Sequence, residues 1–198
     1  MKSENLLSKK QKEVLHKLVR LFRRENIKYA ISGGLASIIY GASNRKLFDI
    51  DVLTNKRGIK KITKLFKGYK VKEEILNKRQ DLKNFSVNFI ALDINGVLVD
   101  IAEDENAFAI NKGKKFRIPI KLKDAKEVIF TGIRFKVRPL EELIIQRLAI
   151  GRVIDRKDVA AIMSSNKIDF GYLEKRAREV KIWSKIRLFK IINSYDKK

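Results

Sequence analysis

The amino-acid sequence predicts an α/β protein of the α+β type, in which a small mixed β-sheet flanked by helices precedes a C-terminal helical domain. Three observations lead to this prediction. Apolar runs typical of strands fill the first two-thirds of the chain, and apolar residues with helical spacing continue from Pro139 to the end. Between two apolar runs, Asn95-Gly96 is a strong hairpin signal. We therefore expect domains at residues 1–138 and 139–198.

The first elements alternate between helix and strand. Residues 8–25 predict a helix, because Ser8 and Gln11 occupy capping-box positions before a one-sided set of apolar residues. "IKYAISGG" predicts a strand that ends in two glycines, and "LASIIYG" predicts a short helix that Gly41 ends. "LFDIDVLT" predicts a second strand, and "RGIKKITKLFKG" predicts a helix that Gly68 ends.

The Asn95-Gly96 turn also predicts which residues of the hairpin face each other. With a two-residue turn, Asp93 lies opposite Leu98 and Ala91 lies opposite Asp100. Because side chains alternate along a strand, Asp93 and Asp100 then share one face of the sheet.

The last predicted strands and helices complete the chain. "EVIFTGIRFKV" predicts a hairpin about Thr131-Gly132. The helical segments that follow are "PLEELIIQRLAIGR", "DRKDVAAIMSS" and "DFGYLEKRAREVKIWSKIRLFKIINSY".

Composition excludes several classes of protein. A hydrophobic share of 44% excludes a disordered chain. Without cysteine, disulfides and thiolate metal sites are impossible, and the sole histidine, His16, excludes a histidine-based zinc site. No signal peptide or membrane-spanning run is recognisable, so we expect a cytoplasmic protein without membrane association.

The net charge of +23 is the most prominent bulk property. Most of the excess lies in residues 1–28, 56–83 and 170–198. Such a charge attracts polyanions, of which nucleic acid is the commonest, although Lys-rich helical faces that only keep a protein in solution are an alternative. "VDIAEDE" (99–105) runs against this trend, and its local acidity indicates a cationic ligand.

Asp49 and Asp51 lie one residue apart on the second predicted strand. Residues two apart on a strand point the same way and lie roughly 6–7 Å apart, so both carboxylates project from one face. Phe48, Ile50 and Val52 are then expected to face the core. A cation would offset the repulsion, and Mg²⁺ fits best because it takes carboxylate and phosphate oxygens, with Mn²⁺ as a second choice. Two solvent-facing charges on an edge strand are the alternative.

Gly33-Gly34 lies between a predicted strand and a predicted helix. Glycine lets the backbone approach a ligand closely, and a helix N-terminus presents N–H groups to an anion. A phosphate site beside a magnesium site is the equipment needed to attack a nucleoside triphosphate (NTP).

"SGGLASIIYGASNRKLFDIDV" resembles the signature of the DNA polymerase beta-type nucleotidyltransferase superfamily, a glycine pair followed by D-x-D and then by a third carboxylate. "RPLEELIIQRLAIGRVIDRKDVAAI" is similar to the post-core segment of the abortive-infection toxin-type and minimal nucleotidyltransferases. The resemblance covers roughly residues 28–163. The resemblance implies that the enzyme transfers a nucleoside monophosphate with the help of two Mg²⁺ ions, which would lie about 3.5–4 Å apart and hold the attacking and leaving oxygens.

The resemblance also implies roles for individual residues. Asp49 and Asp51 would hold the metals, and Asp100 would bind the catalytic metal and orient or deprotonate the attacking hydroxyl. Residues near the glycine pair and basic residues in and before the later helices would bind the nucleotide, together with the aspartate of the K-D pair. These nucleotide-binding candidates are Ser32, Gly33, Gly34, Ser37, Arg45, Arg147, Arg152, Lys157 and Asp158.

Two positions depart from the family pattern, and some candidates have simpler explanations. Leu47 replaces a threonine whose hydroxyl could contact phosphate. Arg147 replaces a lysine, and a guanidinium still binds phosphate but does not readily carry a proton. Both changes weaken the case for phosphate binding and leave the predicted metal ligands in place. Arg147 as a surface ion pair, Asp158 paired with a neighbouring arginine and Asp100 as an ordinary surface acid are the alternatives.

The predicted reaction transfers a nucleoside monophosphate from an NTP to a hydroxyl and releases pyrophosphate. RNA, such as a tRNA 3′ end, is the favoured acceptor because of the net charge of +23. The alternatives are a protein partner in a toxin–antitoxin system and an aminoglycoside-like small molecule. A non-catalytic nucleic-acid-binding module is the alternative from another class. The oligomeric state is not determined by the sequence.

Overall fold

The computed structural model describes residues 6–42, 47–68, 76–82, 85–118 and 122–187. The helices in this part of the chain are α1 (Lys9–Arg24), α2 (Gly33–Ile39), α3 (Lys56–Gly68), α4 (Leu140–Ile150), α5 (Val153–Ser165) and α6 (Phe170–Glu179). The strands are β1 (Tyr29–Ile31), β2 (Asp49–Thr54), β3 (Leu76–Leu82), β4 (Phe85–Ile94), β5 (Val97–Asn111), β6 (Lys114–Arg117), β7 (Lys126–Phe130) and β8 (Ile133–Val137).

All these strands belong to one mixed sheet. Its order is β3-β4-β5-β2-β1-β8-β7, and β6 pairs with the far end of β5. The pairs β2–β5 and β1–β8 are parallel, whereas the other pairs are antiparallel. This sheet, with its helices, confirms the predicted fold class.

Local sequence signals explain where the first helices begin and end. At the start of α1, Ser8 Oγ accepts from the Gln11 N–H at 3.2 Å, and Gln11 Oε1 accepts from the Ser8 N–H at 2.9 Å, which is the predicted capping box. Two residues after the last residue of α1 and of α2, the chain has a positive φ, at Asn26 and at Gly41 respectively. Asparagine and glycine tolerate this conformation best.

Both predicted hairpins are present, and the first has the predicted register. Asp93 pairs with Leu98 and Ala91 with Asp100 across β4 and β5. Asp93 Oδ1 accepts from the Gly96 N–H at 2.7 Å, so this exposed carboxylate caps the turn. The second hairpin joins β7 to β8 through Thr131-Gly132.

Sequence patterns did not predict β3, β6 or the second half of β5. β3 (LNKRQDL) is rich in polar residues and has no apolar alternation. β5 turns into β6 at Lys112-Gly113, where Lys112 has a φ of 48°. Lysine is an uncommon residue in this conformation, so the turn carries only half of the usual signal.

The last predicted helix is interrupted. α6 ends at Glu179, and the Ile182 N–H donates to the Ala177 carbonyl at 2.9 Å in a left-handed helix stop, before residues 183–187 become helical again. Lys181 occupies the left-handed position with a φ of 57°. Because glycine is the usual residue there, the sequence contained no stop signal.

The expectation that Phe48 faces the core is wrong. Ile50 and Val52 are buried as predicted, but Phe48 is 74% exposed. The strand begins at Asp49, so two-residue alternation does not extend to Phe48.

Two apolar clusters pack against the sheet. One brings α1 together with residues of β1, β2, β4, β5 and β8. The other brings α4, α5 and α6 together with small residues such as Ala107 and Ala109 of β5. The boundary between residues 138 and 139 therefore stays a prediction, because both sides share this second cluster. Among the described helices, none is long and apolar enough to cross a membrane.

A buried ion pair joins α4 to α6. Arg176 Nε donates to Glu142 Oε1 at 2.6 Å, and Tyr172 Oη donates to the same oxygen at 2.6 Å. Burial by itself would raise the pKa of Glu142, but hydrogen bonds from Arg176 and Tyr172 outweigh it, so the pKa is lowered. The ionised carboxylate is therefore stabilised by the fold.

We expect Arg176→Met to lower the free energy of unfolding by about 3–5 kcal/mol, because it leaves the Glu142 carboxylate buried without its cation. Urea denaturation at neutral pH measures this change. The double variant Arg176→Met/Glu142→Leu should recover part of the loss, and equal instability of both variants would contradict the account.

The ion pair also predicts a pH dependence. Since folding lowers the pKa of Glu142, its contribution is complete above the unfolded pKa and is lost as pH falls through the lower folded pKa. The double variant should lack this loss of stability on the acid side.

Candidate active site

Three carboxylates meet on one face of the sheet. β2 and β5 run parallel in a register that places Asp51 directly beside Asp100. Asp49 lies two residues before Asp51 and therefore projects from the same face. One oxygen from each carboxylate lies within 4.8 Å of the others, and all three residues are half-buried. The grouping expected from the sequence is thus present.

This cluster fits a divalent cation. Two like charges about 5 Å apart repel by about 3 kcal/mol at an effective dielectric constant of 20, and a cation removes this cost. An oxygen-only, partly exposed set of ligands suits Mg²⁺ or Mn²⁺ rather than a metal that prefers nitrogen or sulfur. The three side chains are therefore candidate metal ligands.

Gly33 and Gly34 lie against Asp51. The Gly34 N–H donates to Asp51 Oδ2 at 3.3 Å, and the Ser32 N–H donates to the Asp51 carbonyl at 2.9 Å. Gly33 has a φ of 55°, and a Cβ at this position would lie only 1.6 Å from Asp51 Oδ2. Both the backbone conformation and the close approach therefore require glycine at position 33.

Ser37 and Arg147 form a buried network and are shielded from solvent. Ser37 Oγ donates to the Gly33 carbonyl at 3.1 Å and accepts from Arg147 Nε and Nη2 at 3.1 and 3.0 Å. Arg147 Nη1 donates to Asp155 Oδ1 at 2.9 Å, and both of these side chains are buried. The surface ion pair considered for Arg147 is thus a buried one, and a role in phosphate binding stays a prediction.

Arg152, held by Asp155, brings positive charge near the acidic cluster. Arg152 Nε donates to Asp155 Oδ2 at 2.8 Å, and the Arg152 side chain is half-exposed. The pKa of Arg152 is raised, first by this hydrogen bond and further by the negative charges of Asp155, Asp51 and Asp158. Arg152 is thus close enough to Asp51 to interact with it electrostatically.

Three sequence candidates remain: Asp158, Lys157 and Arg45. Asp158 is buried, and Arg147 Nε lies 3.7 Å from Asp158 Oδ2. Its predicted role in nucleotide binding stays a prediction. Lys157 is exposed on α5. Arg45 lies outside the described residues, so its predicted role stays a prediction.

Sequence reasoning missed Asp155 and Gln146. An acidic residue three positions after a helix start was the available signal for Asp155, whose Oδ2 accepts from the Arg152 N–H at 3.1 Å. Gln146 Oε1 accepts from Ser32 Oγ at 3.3 Å across the space between α4 and β1. No local pattern marks this contact, because the two residues are far apart in the sequence.

We expect Gly33→Ala to keep the fold but abolish divalent-ion binding, because the added Cβ displaces the Asp51 carboxylate. Gly96→Ala is a matched control: Gly96 also has a left-handed φ, of 78°, but a Cβ there meets nothing within 4 Å. Both variants should lose about 1 kcal/mol of stability from backbone strain. Calorimetric titration with Mn²⁺ checks the difference, and equal ion binding by the two variants would contradict it.

Comparisons with known proteins agree with this geometry. A family model described as aminoglycoside-2''-adenylyltransferase matches residues 14–142. No curated protein sequence matches the chain.

Solved structures share the fold at low sequence identity. The candidate nucleotidyltransferase TM1012 of Thermotoga maritima has a TM-score of 0.61 at 22% identity, over 77% of this chain and 92% of that chain. ANT(2")-Ia in complex with adenylyl-2"-tobramycin has a TM-score of 0.60 at 13% identity, over 87% and 97%. The lincosamide antibiotic adenylyltransferase LnuA with bound lincomycin has a TM-score of 0.52 at 17% identity, over 82% and 100%.

The resemblance to nucleotidyltransferases and the predicted enzyme class are therefore confirmed. Because the family model spans more than half of the chain, this protein belongs to the aminoglycoside-2''-adenylyltransferase family and is a nucleotidyltransferase.

Proposed function

We propose that the protein transfers a nucleoside monophosphate from an NTP to a hydroxyl group of a small, amine-bearing acceptor of the aminoglycoside type. The reaction depends on Mg²⁺ and releases pyrophosphate. The observation that carries this proposal is the cluster of Asp49, Asp51 and Asp100, which lies directly against Gly33-Gly34. Membership of an adenylyltransferase family supports both the reaction and ATP as the first NTP to test.

The three carboxylates would hold Mg²⁺. Bound there, the ion would supply Lewis-acid stabilisation of the negative charge on the phosphates. The acceptor hydroxyl oxygen forms a bond to the α-phosphorus while the bond from that phosphorus to pyrophosphate breaks. Asp100 is suited to accept the hydroxyl proton, since it lies beside Asp51 on a partly exposed face.

Positive charge for the triphosphate comes from the helices. Arg152 is half-exposed, interacts with the charge of Asp51 and is held in place by Asp155. It would neutralise charge on the nucleotide and on the departing pyrophosphate. Arg45 and Lys157 remain further candidates from the sequence.

The surroundings of the acidic cluster favour a small acceptor. Leu98 pairs with Asp49 and lies on the same face as Asp100, and 52% of it is exposed. Phe48 immediately precedes Asp49 and is 74% exposed. Apolar surface beside carboxylates suits a ring-containing molecule that carries amino groups, because its rings and its charges then both find partners. The relative ANT(2")-Ia is described with adenylyl-2"-tobramycin, and LnuA with lincomycin.

The RNA acceptor favoured from the net charge has no support in the comparisons, and we place the small molecule first. Net charge is a property of the whole surface, whereas the acceptor is selected by the residues next to the reacting atoms. At the site these residues include three acids. RNA and a protein partner of a toxin–antitoxin pair remain as alternative acceptors, and a cytoplasmic location remains a prediction.

We expect Asp51→Asn and Asp100→Asn each to lower kcat by more than about 100-fold, the upper end for residues that only support a metal ligand. Asp93→Asn is the matched control, because Asp93 lies in the same hairpin but only caps the turn. Pyrophosphate release from ATP measures the activity, and thermal unfolding checks the fold. Equal activity of the three variants would contradict the assignment.

The acceptor is tested by incubating the wild-type protein and Mg²⁺ with each of the four radiolabelled NTPs. Tobramycin, lincomycin, total RNA and a cell protein extract serve as separate acceptors. We expect the label in an aminoglycoside and ATP as the preferred donor. Label only in RNA or in protein would overturn the small-molecule acceptor while leaving the nucleotidyl transfer intact.

A further inference from the structure

Arg138 lies in the same row of residues as the acidic cluster. β1 and β8 are parallel, with Ile31 paired to Val137, and the Arg138 N–H donates to the Ile31 carbonyl at 2.9 Å. Arg138 therefore follows β8 at the level where Ser32 follows β1. Across the strand order β5-β2-β1-β8, the acids lie on one half of the row and Ser32 and Arg138 on the other.

The Arg138 side chain is a fully buried cation. Its exposed fraction is 0%, and its Nη1 donates to Gln146 Oε1 at 2.5 Å. Among the described residues, Nε and Nη2 of Arg138 have no hydrogen-bond partner. Burial lowers the pKa of Arg138 to about 10, against the opposing effect of Glu142, so the guanidinium is still charged at neutral pH. A buried positive charge thus lies directly behind Gln146.

Gln146 is held in one orientation. A guanidinium only donates hydrogen bonds, so the oxygen of the carboxamide, not its nitrogen, must face Arg138. Ser32 Oγ donates to the same oxygen at 3.3 Å. Gln146 is partly buried, and both hydrogen bonds that it makes within the described part of the chain fall on Oε1 rather than on Nε2. The two N–H bonds of this nitrogen are therefore available to a ligand beside Ser32 and Gly33.

We propose that Gln146 binds the triphosphate of the nucleotide through its carboxamide N–H, with Arg138 as the positioning residue. This inference rests on the proposed function. Ser32 was the donor expected from the sequence, but its hydroxyl already donates to Gln146. The donor on this side of the glycine pair is then the Gln146 amide.

A phosphate oxygen is the ligand atom that this arrangement favours. Arg138 withdraws electron density from the Gln146 oxygen, which makes the amide N–H a stronger donor. An anion also gains from the buried charge of Arg138, whereas a neutral base does not.

Two variants test the donor separately from the charge. Gln146→Glu removes the N–H but keeps an oxygen for Arg138 and Ser32, and Gln146→Met removes the N–H without adding charge. Calorimetry with Mg²⁺ measures the binding of a non-hydrolysable ATP analogue, of inorganic triphosphate and of adenosine. We expect both variants to bind the analogue and triphosphate at least fivefold more weakly and adenosine unchanged. With tobramycin as acceptor, KM for ATP should rise while kcat changes less than twofold.

The stability of the variants and the pattern of their affinities decide whether Gln146 binds the triphosphate. Gln146→Glu should be at least as stable to heat as the wild type, because it gains an ion pair with buried Arg138. If Gln146→Met does not fold, the double variant Arg138→Met/Gln146→Met replaces it as the neutral variant, because it also removes the buried cation that would be left without a partner. If the wild type binds ATP and both variants bind triphosphate as tightly as the wild type does, this inference is overturned and the proposed function is not. Weaker triphosphate binding by Gln146→Glu alone would show charge repulsion by the new carboxylate. Weaker binding of adenosine alone would show that Gln146 contacts the base. Either result overturns the inference. A wild type that binds neither analogue nor triphosphate would overturn the proposed function as well.

Discussion

The parallel pairing of β2 with β5 is the constraint on which the site depends. It places Asp51 beside Asp100, and strand alternation adds Asp49 to the same face. The three carboxylates repel each other, so they do not assemble by themselves. They are held because Ile50 and Val52 are buried on the opposite face, and a one-residue slip would expose these apolar side chains and bury the acids. The hydrophobic core thus determines the geometry of the charged cluster.

The helices place positive charge near the acidic cluster and are joined to each other by a buried network. Arg147 of α4 contacts Ser37 of α2 and Asp155 of α5, so one buried network joins three helices. Asp155 in turn holds Arg152 near Asp51. Such a network is costly to break, because removal of one member leaves a buried charge without its partner. The position of the positive charge relative to the acids is therefore a property of the whole fold.

Local and overall charge lead to different conclusions about the acceptor. The net charge of +23 describes a surface that attracts polyanions at long range. The acidic cluster, with exposed Leu98 and Phe48 next to its residues in the chain or sheet, is the surface that an acceptor would contact under the proposed function. Salt screens exposed charges beyond about 10 Å, so the nearby residues dominate recognition of a small molecule. Bulk composition therefore favoured RNA, whereas the residues near the acids are the basis of the proposed amine-bearing acceptor.

The sequence by itself determined the features that depend on neighbouring residues. Capping at Ser8, the Asn95-Gly96 hairpin with its register, and the alternation that places Asp49 and Asp51 together all follow from short-range geometry. Only the tertiary structure decided which distant groups meet, namely Gln146 with Ser32 and Arg147 with Ser37. It also decided the helix break at Lys181, a position that lacks the usual glycine. The physical reason is that these contacts are set by the packing of whole helices against the sheet, and packing leaves no local pattern in the chain.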